Sequence, residues 1–450
     1  MSRFLLLMPI WLLTCSPFST EGTTSYVSPA PSGSDENPGT EDRPLATIQE
    51  AIDLAVDGDT VIVAEGVYRE NVEFKGKNIV LRSTNPLDPD VVAKTIIHAL
   101  KARSVVTFSG TEDETCVLTG FTIRNGTTEG NGGGVCGGAA EVRTHATIEN
   151  NVVTTNWAGG KGGGGLAHCD GSVQNNTIMS NWGDQGGGMH YCNGTVRGNT
   201  ISGNSAVWGG GLDSCQGTLQ NNTIVGNSAF YGGGLSGCDG MVQNSTIVSN
   251  SADYEGGGVW WCEGTVVNCV IWGNRAPTGP QLFWSANPTY SCIQGGTGGD
   301  KTNISQDPRF VDPDGRDNDP ATYEDNNYRL RSDSPCIDMG KNEDWMWKAL
   351  DRDGNFRIWR GRFSLRVDMG AYEYGSRPLK LVGISRVEGG GASLTWKGRP
   401  GDSYIVWWCH DLLLGAWTRE AATIPSAGEQ TTWTDPDTTS ILKFYRIEIE

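Results

Sequence analysis

A block of three glycines followed by an apolar residue opens at Gly132, Gly163, Gly186, Gly209, Gly232 and Gly256, at intervals of 31, 23, 23, 23 and 24 residues. Superimposing those intervals produces whole columns of one residue type. Ile178, Ile201, Ile224, Ile247 and Ile271 form one, and Val173, Val196, Leu219, Val242 and Val266 a second. Leu166, Met189, Leu212, Leu235 and Val259 form a third, and Asn181, Asn204, Asn227, Asn250 and Asn274 a fourth. A period of this size marks a solenoid, in which no repeat buries its apolar face alone.

Composition decides which solenoid. The 63 glycines would melt the paired amphipathic helices of a helical repeat. The apolar runs are two to four residues long, β-branched, and separated by Gly and Asn, which supply positive φ in tight turns. Three short strands and three turns fit into about 23 residues. Coils then stack at ~4.8 Å, and identical residues stack on themselves. Ile fills the bore, and Asn passes amide hydrogen bonds along a turn. The expected class is all-β: a single-stranded parallel β-helix.

Its ends are legible as well. Residues 47–55, from Thr47 to Ala55, carry apolar residues at helical spacing, and Thr47 with Glu50 offers a capping box, so a short helix closes the first coil. Arg3 and the apolar run from Phe4 to Leu13 read as an export signal, too short to span a bilayer. The expected organisation is a signal peptide over 1–22, a linker over 23–43 and the β-helix over 44–294. An acidic, loop-rich C-terminal cap follows over 295–376, then a small β-sandwich over 377–450. The mature chain is expected to be secreted, at the cell surface or periplasmic, without a transmembrane segment, and monomeric. A formal charge of −18 argues against nucleic acid, which demands clustered Lys and Arg.

Several residues resemble a known group. Ala46-Thr47-Ile48-Gln49-Glu50-Ala51-Ile52-Asp53, with Asp57-Gly58-Asp59-Thr60-Val61 and Gly66-Val67-Tyr68, resembles the opening of pectate-lyase-like and pectinesterase-like β-helices. The coil from Gly209 to Ala229 resembles secreted bacterial right-handed β-helix repeat proteins. Ser334-Pro335-Cys336-Ile337-Asp338 and Val367-Asp368-Met369-Gly370-Ala371-Tyr372-Glu373 look like that group's C-terminal cap. The tail from Leu379 loosely resembles fibronectin type III-like modules. The resemblance, over about residues 40–375, implies a right-handed parallel β-helix whose enzyme members act on polysaccharides. The calcium-holding Asp set and catalytic Arg of pectate lyases are not matched on this chain. Nor are the Asp pairs of pectinesterase-like and polygalacturonase-like proteins.

Four groups of residues are candidates for chemistry. Ala167, His190, Asp213, Ser236 and Trp260 share a column. Asp213 lies between His190 and Ser236, the wrong order for a nucleophilic triad, in which His is central. A His190–Asp213 proton-transfer dyad and a set of solvated surface residues both fit. His168, one column over, is expected to face away from His190. Cys169, Cys192, Cys215, Cys238 and Cys262 form a ladder, read as a buried thiol stack, with disulfides as the alternative. Asp312 and Asp314, and Asp351 and Asp353, offer closely spaced oxygens for calcium or for hydrogen-bonded loops.

Aromatic residues complete the set. The chain holds 16 Trp. Trp208, Tyr231 and Tyr254 recur at 23-residue steps beside Trp260. On the outside of a β-helix such rings either shield the ladder or present flat faces to sugars. The function expected is a non-catalytic carbohydrate-binding or cell-surface protein with polysaccharide or cell-surface glycan as partner. A polysaccharide lyase or glycoside hydrolase, and a structural or adhesive spacer, are the alternatives.

Overall fold

The repeat folds into four parallel sheets rather than three. The computed structural model describes residues 22–449 apart from 131, 161, 297–299, 320–322, 324, 360–363, 377–379, 388–390, 398–402, 411–416, 421, 429 and 438–442. The expected export signal, over 1–22, lies outside the described residues except for Gly22. Two ten-stranded sheets run the length of the solenoid. One extends from Thr24–Val27 to Val266–Val267 and the other from Gly66–Arg69 to Cys292–Ile293. A nine-stranded sheet ends at Leu282–Phe283. The fourth sheet has six strands, among them Ser205–Trp208, Ser228–Tyr231 and Ser251–Glu255. It was hidden in the sequence because its strands lack bulky inward residues. Gly183, Ala206, Ala229 and Ala252 are its small column.

In-register pairing brings the expected columns together: Ile178 on Ile201, Ile224, Ile247 and Ile271, all with no solvent exposure. Val173 to Val266 and Leu166 to Val259 fill the other walls of the bore. The Asn column works as expected. The Asn204 main-chain N–H and Nδ2 both donate to Asn227 Oδ1 at 3.0 Å, and Nδ2 also donates to the Ile178 carbonyl at 2.9 Å. The buried Asn amides are thereby satisfied inside the protein, as burial requires. A second such ladder, Asn151, Asn176, Asn199 and Asn222, turns the chain between the two long sheets.

The five ladder cysteines point into the bore, buried and unpaired. Each thiol donates to the carbonyl two residues back, as Cys215 does to Asp213 at 3.5 Å. Burial pushes the Cys215 and Cys262 thiols well above their usual range.

Two end features differ from expectation. The stretch expected as a linker contributes Thr24–Val27, which pairs with Thr60–Val63 and covers the first edge of a long sheet. The helix Ile48–Leu54 closes the bore with Ile48, Ala51 and Ile52 buried. Thr47 accepts from the Glu50 N–H, but the free amides of Ile48 and Gln49 donate to Glu70, from the first coil, at 3.0 and 2.9 Å.

The acidic segment expected as a terminal cap does more than close the end. It lies along the flank of the solenoid, where Arg352 donates to Thr200, Asn221 to the Leu350 carbonyl, and the Ala371 N–H to Thr246. Tyr328 packs with Val225 and Val248, against which Tyr323, Tyr372 and Trp272 also sit. The signal was present: the outward column Ser202, Val225, Val248, Trp272 turns apolar where it becomes covered. Near the C-terminus, two small antiparallel sheets share a core of Leu394, Trp396, Tyr404 and Val406. Among the described residues no helix is long and apolar enough to cross a membrane.

Candidate functional site

The outer face of the nine-stranded sheet carries the column Ala167, His190, Asp213, Ser236, Trp260, Phe283. Each strand there has two residues, one turned into the bore and one outward. The first glycine of each triplet folds the fourth-sheet strand back beside this column. Gly209 has φ +62°, and a Cβ on it would lie 2.3 Å from the Leu212 carbonyl oxygen. Only glycine permits that approach.

His190 and Asp213 are 2% and 5% exposed, which overturns the reading of solvated surface residues. Asp213 stands at the centre, as the chain order implied. Ser236 donates to its Oδ1 at 2.5 Å, Ser214 donates to its Oδ2 at 2.9 Å, and His190 Nε2 lies 3.5 Å from Oδ2. Burial pushes the Asp213 carboxyl up to about 7, against the lowering effect of the Ser236 hydrogen bond. A carboxyl raised above its ordinary 3.8 contributes stability that is complete below about pH 4 and lost as pH rises through about 7. Asp213→Asn, neutral and isosteric, should therefore flatten the melting temperature between pH 4 and 7. An unchanged pH slope would mean that Asp213 is already ionised at pH 4.

His168 was expected to face away from His190, yet the two rings lie 6.3 Å apart. His168 has φ +60°, so strand alternation breaks at it. The same left-handed position holds Tyr191, Ser214, Gly237, Trp261 and Trp284 in successive coils. For bulky rings that conformation costs roughly 1–3 kcal/mol, and such strain gathers at functional sites. Tyr191 stacks on His190 at 4.1 Å, with Arg143 5.1 Å over its ring.

Downstream of the polar cluster the rings join. Phe230, Tyr254, Tyr231, Trp260, Trp261, Trp284 and Phe283 form an unbroken run with neighbouring centroids 5.3 to 6.0 Å apart. Several rings face solvent: Trp284 is 69% exposed, Tyr254 55%, Trp261 47% and Phe230 45%. Trp208 pairs in register with Tyr231, but Tyr254 is not the next member of that column. Glu255 is, because the 24-residue interval from Gly232 to Gly256 inserts a bulge. The Tyr254 ring still stacks on Tyr231 at 5.3 Å, and Glu255 instead accepts from Trp260 Nε1 at 3.2 Å. Sequence reasoning missed Phe283 and Trp284, which extending the period by 23 residues from Trp260 and Trp261 would have found. Beyond Trp284 a depression of about 420 Å³ opens between Gly279, Asn287 and Ile293 at the end of the solenoid.

The calcium candidates do not converge. Asp351 is buried and accepts from the Asp353, Asn355 and Glu373 amides, while Asp353 is held by both Nε and Nη2 of Arg329 at 2.6 Å. Those oxygens anchor the flank segment. Asp312 ends a short antiparallel strand, and Asp314 follows on an exposed turn. No group of three or more His, Cys, Asp or Glu side chains able to hold a metal ion is found among the described residues.

Against known proteins, a family model described as a protein of unknown function (DUF1565) matches residues 31–75. An uncharacterized protein of Bacillus subtilis (strain 168), YwoF, is 28% identical over 110 residues, which is 23% of this chain and 23% of that protein. The chain thus spans about a quarter of that relative's length. The crystal structure of pectate lyase Pel9A superposes with a TM-score of 0.44 at 15% identity, covering 79% of this chain and 97% of that one. At that level the likeness extends to neither activity nor substrate.

Proposed function

We propose that this is a secreted or cell-surface β-helix protein that binds an extended, uncharged polysaccharide without cleaving it. The observation that carries the reading is the seven-ring run from Phe230 to Phe283, held on stacked coils with four rings well exposed. Exposed apolar patches of this extent mark interaction sites on soluble proteins. A sheet-bound row of rings has little freedom to lose on binding, and flat faces with polar rims suit sugar rings. Glu255 holds Trp260 Nε1 within the run, Asp253 precedes Tyr254 in the chain, and with the overall charge of −18 these carboxylates disfavour polyanions.

Tyr254→Ala and Trp261→Ala should each weaken binding of the best ligand from a neutral-glycan panel by about 1–2 kcal/mol, roughly five- to thirtyfold. Melting temperature should stay within a few degrees, since both rings are largely exposed. A panel on which the wild-type protein binds nothing would discard this reading in favour of a structural or adhesive spacer.

The second reading is a polysaccharide lyase or hydrolase, and Asp213 favours it. A buried carboxyl that titrates near neutrality beside His190 is suited to donating a proton. New reducing ends or unsaturated products from a panel glycan, lost in Asp213→Asn, would replace binding with catalysis.

A further inference from the structure

Outside the ladder, two cysteines meet from different parts of the fold. Cys292 lies on the last strand of a long sheet, Cys292–Ile293, and Cys336 lies in the flank segment beside Ser334 and Ile337. Both are fully buried, and they pack in one cluster with Val270, Leu330, Ile337 and Met369. The two thiols share that buried cluster, close enough for the Cys292 thiol to help push the Cys336 thiol up, and the Cys292 thiol donates to the Gln306 carbonyl at 3.2 Å. We propose that Cys292 and Cys336 are a modification site: they close a disulfide that fastens the flank segment to the end of the solenoid.

The chemistry is thiol–disulfide exchange with a disulfide-bearing oxidant, a thiol oxidoreductase or oxidised glutathione. The Cys292 and Cys336 S–H bonds break, one S–S bond forms, and the oxidant's disulfide accepts two electrons and two protons to become two thiols. Burial pushes the Cys336 thiol up, so exchange belongs to the stage before the flank segment seats. The ladder cysteines differ. They recur at one turn position of successive coils, two residues past each short strand, whereas Cys292 and Cys336 come from separate segments of the chain. The bond would close a loop of 44 residues, from 292 to 336 (336 − 292), which gives a sizeable entropic gain.

The test is peptide mapping of protein produced in a disulfide-forming compartment, unfolded in an alkylating agent and digested without reductant. Cross-linked peptides carrying Cys292 and Cys336, with the five ladder cysteines alkylated, are expected. Alkylation of both Cys292 and Cys336, or either one linked elsewhere, overturns the proposal. A second measurement uses heat: reductant should lower the wild-type melting temperature by about 5 °C and leave Cys336→Ser unmoved. A wild type indifferent to reductant also counts against it.

Discussion

Ile224→Asn is expected to cost roughly 3–5 kcal/mol, enough to lower the melting temperature by 10 °C or more. Ile224 has no solvent exposure and lies between Ile201 and Ile247, with Gly211 packed against its Cγ2. An amide there loses the apolar contacts and finds no partner, because its neighbours in the column are hydrocarbon. The contrast with Asn227, three residues on, is instructive. That amide is just as buried, but it is one member of a continuous ladder and every bond is made. Ile224→Val, which only thins the column, should cost about 1 kcal/mol. Thermal melts of the two variants decide the matter, and an Ile224→Asn protein melting within 2 °C of wild type would refute the assigned bore.

Removing the buried Arg357 should be comparably damaging, and more so at neutral pH than in acid. Arg357 is fully buried and donates from Nη2 to the carbonyls of Asp368 and Gly370. Its charge offsets part of the burial that pushes Asp368 up to about 7, and that raises Asp351 and Glu373 as well. Carboxyls raised in the fold contribute stability that is complete below about pH 4 and lost as pH climbs through their folded values. Arg357→Met would raise those values further. It should cost about 3–5 kcal/mol at pH 7.5, where buried carboxylates lose their counter-charge. The cost should shrink near pH 4, where the acids are neutral. Melting temperatures of both proteins at the two pH values test this. An equal gap at both would mean that Arg357 acts by packing alone.

Much of the solenoid is encoded locally. Each Ile, Val and Leu column repeats at the coil length, so periodicity alone assigns it to the bore, and stacking then sets the register. The buried thiol ladder and the Asn ladder follow from the same arithmetic, because a residue repeated in every coil stacks on its own copies. Other features depend on contacts between segments that share no period. The fourth sheet turns only a Gly and Ala column inward, which leaves no hydrophobic signature, and the burial of Asp213 and His190 likewise leaves no mark in the sequence. The bulge at Tyr254 arises from one additional residue in a 24-residue coil, and it exchanges a ring for Glu255 in the register. Asp351 and Asp353 looked like ion ligands because spacing reveals proximity but not partners. The loop's own amides occupy part of Asp351, and the Glu373 amide and Arg329 had to be brought from elsewhere to complete the pairing. The placement of the flank segment, and with it the meeting of Cys292 and Cys336, was likewise settled only by tertiary packing. The chain must cover the apolar outward column at Val225, Val248 and Trp272, and no local pattern in the segment itself names that destination.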